Sequence, residues 1–296
     1  LAAKKAHGPG CALGSTVYVS LEPCSTRGRT GACTDLLIAE GVARVVWGAD
    51  DPNPAHAGRA AEILRTNRVE VRAGVEESAC CALIAPFAKV QQTGLPWVIV
   101  KTAMSLDGRI TRPPGEGQWL SGEAARAEVQ ELRGSVEAIL TSSRTALLDN
   151  PKLTLRGPGL RPGKQQPWRV VLGSGEVALP ASHYLLSDDF KSRTLLRTGQ
   201  RIERVLRELV ADKEVTSVLV EAGGELSGRL FDEGWVDEVV VYLTPLLTGG
   251  AVPALGGDGI PSLAERWRLA NPQVRRLGPD VRLRARLSGQ GGELER

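Results

Sequence analysis

Two constellations in this chain carry residue types that do chemistry. Cys24 follows the apolar run STVYVSLEP, and Cys33 stands after STRGRTGA, where the helical stretch TDLLIAEGV begins. A helix dipole and a bound cation both favour thiolate, so a cysteine pair in this setting suits zinc; it suits equally well two buried, small apolar groups. In the second constellation the run TSVLVEAG leads through Gly223 and Gly224 into a helix over residues 225–231. A glycine-rich strand-to-helix turn lets backbone N–H groups and the positive end of the helix approach a pyrophosphate. The spacing is not G-x-G-x-x-G, and a plain turn uses glycine as readily. Glu221, at the carboxyl end of that strand, stands where open α/β sheets meet their ligands.

Both constellations need a scaffold, and the hydrophobic pattern describes one. Strands are expected at 15–23 and 43–49 and in VEVRAG, with helices in TDLLIAEGV and GRAAEILRTN between them, so the first part reads as βαβ units on a largely parallel sheet. Residues 76–92 are apolar-rich around a central Pro, and QQTGLP (91–96) reads as the linker. Beyond it the alternation resumes, with strands at 97–104, 136–142, 168–173, 192–197, 216–223, 238–247 and 281–288. Helices fit 122–134 and 201–212, where Ala125, Val129, Leu132 and Val136, then Ile202, Val205, Leu206 and Leu209, recur at helical spacing. The chain thus divides into an α/β domain over 1–93 and a larger one over 97–296, with a frayed tail at 288–296.

Composition narrows the class. With 296 residues, 42% of them hydrophobic and 24% charged, the chain is neither disordered nor collagen-like and has length for about two domains. No apolar run approaches the roughly 18 residues that span a bilayer, and the opening LAAKKAHGPG has no apolar leader stretch, so a cytoplasmic protein without membrane contact is expected. The net charge of +3 is spread evenly, whereas a nucleic-acid binder clusters its basic residues; no nucleic-acid partner is expected. Five cysteines, an odd number, do not suggest a disulfide framework.

The run LEPCSTRGRTGAC followed by DPNPAHAGR resembles the zinc deaminase domain of bifunctional riboflavin-biosynthesis deaminase/reductases, which has the cytidine-deaminase fold. The resemblance implies zinc on Cys24 and Cys33, with a third ligand and a proton-shuttling Glu from an upstream His-Ala-Glu element. That element is absent from this sequence; neither His7 nor His56 has a Glu at the required spacing. The expectation is a partial, α/β/α deaminase domain holding an incomplete zinc site, and a chain that does not itself deaminate.

KTAMSLDGRIT (101–111), GEGQWLSG (115–122), ELR (131–133), ILTSSRTALLDNPKLTLR (139–156) and the stretch 218–249 resemble, in order, the reductase domain of the same enzymes, a dihydrofolate-reductase-like α/β fold. The resemblance implies NADPH as cofactor. Its diphosphate is expected on Gly223, Gly224, Glu225, Leu226, Ser227, Gly228 and Arg229, with Ala103, Trp119, Thr145, Asp149 and Ser174 lining the rest. Without the resemblance, Trp119 reads as packing across the sheet end. A phosphoribosyl pyrimidine is the implied substrate, held by Arg133, Leu153, Arg156 and Glu221; guanidinium forks suit its phosphate. Asp149 is expected to orient the reacting sugar or assist protonation around it and Glu221 to fix sugar hydroxyls, while each suits a structural cap as well. Gly117 stands where the family usually has Ser. Reduction of the ribosyl group to ribityl is the implied reaction, in a homodimer joined through the reductase domain, for which apolar strands such as EVVVYLTPLL serve as edges or as core. Two other readings are a reductase whose deaminase domain survives only as a scaffold, and a nucleic-acid-binding or base-editing protein on a deaminase fold.

Overall fold

In the computed structural model the chain forms two compact units, Leu1–Leu95 and Pro96–Arg296; residues 8, 10–27, 31–53, 56–110, 119–175, 178–262 and 267–288 are described. The first unit contains β1 (Thr16–Leu21), α1 (Cys33–Ala39), β2 (Arg44–Ala49), α2 (Arg59–Thr66), β3 (Glu70–Arg72) and α3 (Glu77–Thr93). Its strands form a parallel sheet in the order β1-β2-β3. The central strand, RVVWGA, is buried from Val45 to Ala49, as a parallel strand covered on both faces must be. Val42, Val45, Trp47, Ala60, Leu64 and Val69 form the core.

The apolar run around Pro86 is a single 17-residue helix, α3, which ends at Gly94 in the left-handed region (φ 68°). Proline supplies no N–H, so this helix forgoes one ladder bond and continues through it. The helix packs closely on the sheet: a Cβ on Gly48 of β2 would lie 2.0 Å from the Cys80 sulfur of α3. Helix and strand therefore meet where the strand has no side chain, and Cys80 serves packing.

The second unit contains β4 (Trp97–Ser105), α4 (Glu123–Gly134), β5 (Ala138–Ser142), α5 (Ser143–Asp149), β6 (Trp168–Gly173), α6 (Tyr184–Ser187), β7 (Thr194–Thr198), α7 (Ile202–Lys213), β8 (Ser217–Val220), α8 (Gly224–Asp232), β9 (Glu238–Thr244), β10 (Arg268–Leu277) and β11 (Asp280–Ser288). They build an eight-stranded mixed sheet in the order β10-β11-β9-β4-β8-β5-β6-β7. The strands from β7 across to β9 are parallel, and β11 and β10 add antiparallel at the other end. The chain leaves β4, lays β5, β6 and β7 outward on one side, then returns to insert β8 between β5 and β4. That reversal is a topological switch point, and open sheets of this kind meet their ligands at the carboxyl ends of the strands there, which are β4, β8 and β5.

Three local readings change. EVVVYLTPLL is no edge: β9 lies between β4 and β11, and the strand stops at Thr244. The true edge, β10, is polar and holds Pro272, and its register shifts between Ala270 and Gln273. An edge strand tolerates a proline and a bulge that a central one does not, which hides β10 from any search for apolar alternation. Helix α5 follows β5 without a loop, because the Ser142 hydroxyl caps it by accepting from Thr145 N at 3.0 Å. Among the described residues no helix is long and apolar enough to cross a membrane.

Candidate active site

A buried ion pair stands at these strand ends. Helix α4 packs Ala125, Val129 and Leu132 into the core, and this carries Arg133, in its last turn, under the sheet with 6% exposure. There its Nε donates to Glu221 Oε1 at 2.6 Å, one terminal nitrogen to Glu221 Oε2 at 2.9 Å, and the other to the Thr154 carbonyl at 3.3 Å. Glu221 is the residue after β8, its N–H held by the Leu140 carbonyl of β5 at 2.9 Å. Bonds to described residues thereby use three of the five guanidinium N–H groups.

Register adds a third charge. Val100 of β4 pairs with Val220 of β8, so the next residues, Lys101 and Glu221, stand level on adjacent strands. The Lys101 ammonium also lies 5.8 Å from the Tyr242 ring centre. Burial pushes the Lys101 ammonium below the usual lysine range, Glu221 opposes this and Arg133 reinforces it. Burial alone would raise the Glu221 carboxyl; Arg133, Lys101 and Arg156 outweigh it and hold the group below the usual carboxylate range. Lys101 was missed in the sequence, although a lone cation inside the apolar run WVIVKTAM was a usable signal.

The loop after α5 brings up the remaining substrate-side candidates. Leu153 is buried in the core in a left-handed conformation (φ 49°), a placement that costs a β-carbon residue about 1–2 kcal/mol. Arg156 is exposed, with its N–H held by Gln130 Oε1 at 2.9 Å, and its charge acts on Glu221.

The glycine turn divides into two functions. A Cβ on Gly224 would lie 2.3 Å from the Pro253 carbonyl oxygen, and one on Gly228 2.0 Å from that of Gly256. These two glycines let α8 pack against the backbone of the 253–257 loop. Gly223 is different: a Cβ there would meet nothing closer than the Thr145 hydroxyl at 3.7 Å. Its N–H is held by that hydroxyl at 3.2 Å, and as the N-cap of α8 it provides no side-chain cap. An uncapped helix N-terminus with open space beside it and a threonine next to it fits the phosphates of a dinucleotide.

The other expected residues scatter around this centre. Ala103 is on β4, packed against the core. Asp149 is the exposed last residue of α5, and Ser174 is exposed just beyond β6. Trp119 is 58% exposed with the Arg126 guanidinium 5.9 Å from its ring, which rules out packing across the sheet end. Glu225 and Arg229 are exposed, Arg229 bonded to Glu233 at 2.6 Å, while Leu226 is half-buried and Ser227 buried. Gly117 lies outside the described residues.

In the first unit Cys24 and Cys33 come together: Cys33 N–H donates to the Cys24 sulfur at 3.3 Å. Burial and the neighbouring Cys24 push the Cys33 thiol up. Two sulfurs are half of a tetrahedral zinc set, and among the described residues no group of three or more His, Cys, Asp or Glu could hold a metal ion. Glu22, next to this pair in sequence and 2% exposed, is a backbone staple, accepting from Asp51 N, Gly58 N and Ala60 N at 3.1, 3.0 and 3.1 Å. His56 reaches the Thr26 hydroxyl at 3.2 Å, and His7 lies outside the described residues.

Comparison with known proteins bears on the whole of this arrangement. Residues 96–283 match the model of the RibD C-terminal domain. The riboflavin biosynthesis protein RibD of Escherichia coli K12 is 38% identical over 298 residues, covering 91% of this chain and 81% of that protein. The structure of Acinetobacter baumannii RibD superposes with a TM-score of 0.85 at 32% identity, covering 96% of this chain and 83% of that one. A Thermotoga maritima structure described as a diaminohydroxyphosphoribosylaminopyrimidine deaminase/5-amino-6-(5-phosphoribosylamino)uracil reductase gives 0.81 at 27% identity, covering 96% and 82%. With a family model over most of its length and relatives matched across both units, the chain belongs to the RibD family of riboflavin-biosynthesis proteins.

Proposed function

We propose that the second unit is an NADPH-dependent reductase of riboflavin biosynthesis, converting the ribosyl side chain of 5-amino-6-(5-phosphoribosylamino)uracil to ribityl. The observation that carries this reading is the Arg133–Glu221–Lys101 cluster at the carboxyl end of β8, two residues before the uncapped N-terminus of α8 at Gly223. Gly223 and Thr145 hold the cofactor's phosphates; Ala103, Trp119 and Ser174 line the rest of its site. NADPH, when bound, supplies the hydride.

The chain's own residues bind, orient and protonate. Arg133 and exposed Arg156 hold the sugar phosphate, while Glu221 keeps Arg133 fixed and offers carboxylate oxygens to sugar hydroxyls. Lys101, whose lowered pKa makes its ammonium a better acid than a solvated lysine, holds the proton delivered to the opening sugar ring; Asp149 orients that sugar from the end of α5. The first unit takes the cytidine-deaminase-like role within this reading, and the second the dihydrofolate-reductase-like one. A homodimer completes the reading, supported by exposed Leu269 and Val274 on the edge strand β10.

The test is loss of NADPH absorbance on adding the deaminated phosphoribosylamino substrate. Turnover yielding the ribityl product is expected. NADPH binding without turnover would overturn the reading.

A further inference from the structure

Helix α5 and the loop after it are both bonded to one short segment, residues 183–188. His183 is 4% exposed. Its Nδ1 accepts Leu185 N–H at 3.2 Å, so its proton sits on Nε2, which donates to the Ala146 carbonyl at 2.8 Å. Ala146 follows Thr145, whose hydroxyl holds Gly223. From the next residue, Tyr184 N–H donates to Asn150 Oδ1 at 3.0 Å, fixing the end of α5.

Asp188, at the other end of the segment, anchors the loop instead. It binds Arg169 of β6 through two bonds of 2.6 and 2.8 Å, and Arg169, 1% exposed, donates further to the carbonyls of Lys152 at 3.0 Å and Leu185 at 3.3 Å. Lys152 immediately precedes left-handed Leu153, and Thr154, immediately after it, gives its carbonyl to Arg133. Two guanidinium groups thus bracket the strained residue, one on each neighbouring carbonyl. A left-handed conformation on a residue with a Cβ persists only where its surroundings impose it, and these bonds are the imposition.

We infer that residues 183–188 are a positioning clamp with two separable anchors: His183 and Tyr184 set the cofactor-side helix α5 and its cap Asn150, and the Asp188–Arg169 pair sets the substrate-side loop 151–156. This rests on the reductase reading above. A buried ion pair that merely stabilised the fold would act on both sides alike, whereas a clamp splits by ligand.

The experiment measures the NADPH Kd by fluorescence, both KM values and kcat in the full chain and its variants. Loss of one such anchoring bond is worth about 1 kcal/mol, or about fivefold in affinity. His183→Phe is expected to weaken NADPH by about that factor with substrate KM moved less, since α5 also carries Asp149, and His183→Gln, which keeps an N–H donor, to restore it. Asp188→Asn is expected to raise substrate KM by about fivefold or more with NADPH Kd held within about twofold; Arg169→Lys, which keeps the charge and loses the fork, gives the same direction should Asp188→Asn fail to fold. Parallel shifts of both constants, or a fall in kcat with neither constant moved, would overturn the clamp. A wild-type chain that binds NADPH without turning over the pyrimidine defeats the parent reading instead, while the His183 arm is still read in NADPH affinity.

Discussion

Replacing Glu221 with Leu tests the centre of the site most directly. The change leaves Arg133, 6% exposed, with the Thr154 carbonyl as its remaining partner in the cluster and Lys101 as an added repulsion. Removing one member of a buried pair costs about 3–5 kcal/mol because the other charge stays desolvated. Arg133→Met is the milder change, by about 1–2 kcal/mol, since Glu221 keeps Lys101 and Arg156 nearby. The double variant replaces both charges with apolar groups and should fall within about 2 kcal/mol of wild type, giving a coupling of about 2 kcal/mol or more. In a unit of this size each kcal/mol moves Tm by about 2–4 °C, so Glu221→Leu should melt about 6–20 °C lower. Tryptophan fluorescence is the right probe, because five of the six tryptophans lie in Pro96–Arg296. The sign of the pH dependence follows from the Glu221 carboxyl being held below its ordinary value of 4.5. Its stabilisation is whole above about 4.5 and is lost as pH falls through the lower, folded value, and the variants should lack that acid-side loss. Additive single variants, or a Glu221→Leu cost under about 1 kcal/mol, would refute the reasoning.

Other substitutions separate fold from function. Gly228→Ala should destabilise by about 1–3 kcal/mol or more in urea titration, as its Cβ meets the Gly256 carbonyl, whereas Gly223→Ala should melt normally and weaken NADPH binding by about tenfold. If the Lys101 ammonium is the acid, kcat should decline as pH rises through a value below the ordinary 10.5, and Lys101→Arg should abolish that basic limb; a limb unchanged in the variant would assign it elsewhere. Glu22→Ala, which strips three backbone N–H groups of their acceptor, should cost about 3 kcal/mol or more in unfolding of the first unit without changing NADPH affinity.

The apolar runs of the parallel strands were legible because a strand buried on both faces has little choice of composition, and the helical spacing of Ala125, Val129 and Leu132 marked the face that packs. Strand β10 and helix α5 were not legible: one is a polar edge that solvent tolerates, the other a short helix defined by a single serine cap. At the site, the sequence determined the residue types, the order of the blocks and, through resemblance, a reductase. It did not determine who touches whom. Arg133 and Glu221 are 88 positions apart, and their bond exists because β8 is inserted beside β5 after the chain has travelled out to β7 and back. Gly223 and Gly228 look alike in sequence, yet one borders open space and the other a carbonyl, a distinction that arises only when the 253–257 loop folds over α8. Local chemistry is written along the chain; desolvation, ion pairing and free volume belong to neighbours in space, and the tertiary structure alone chooses those.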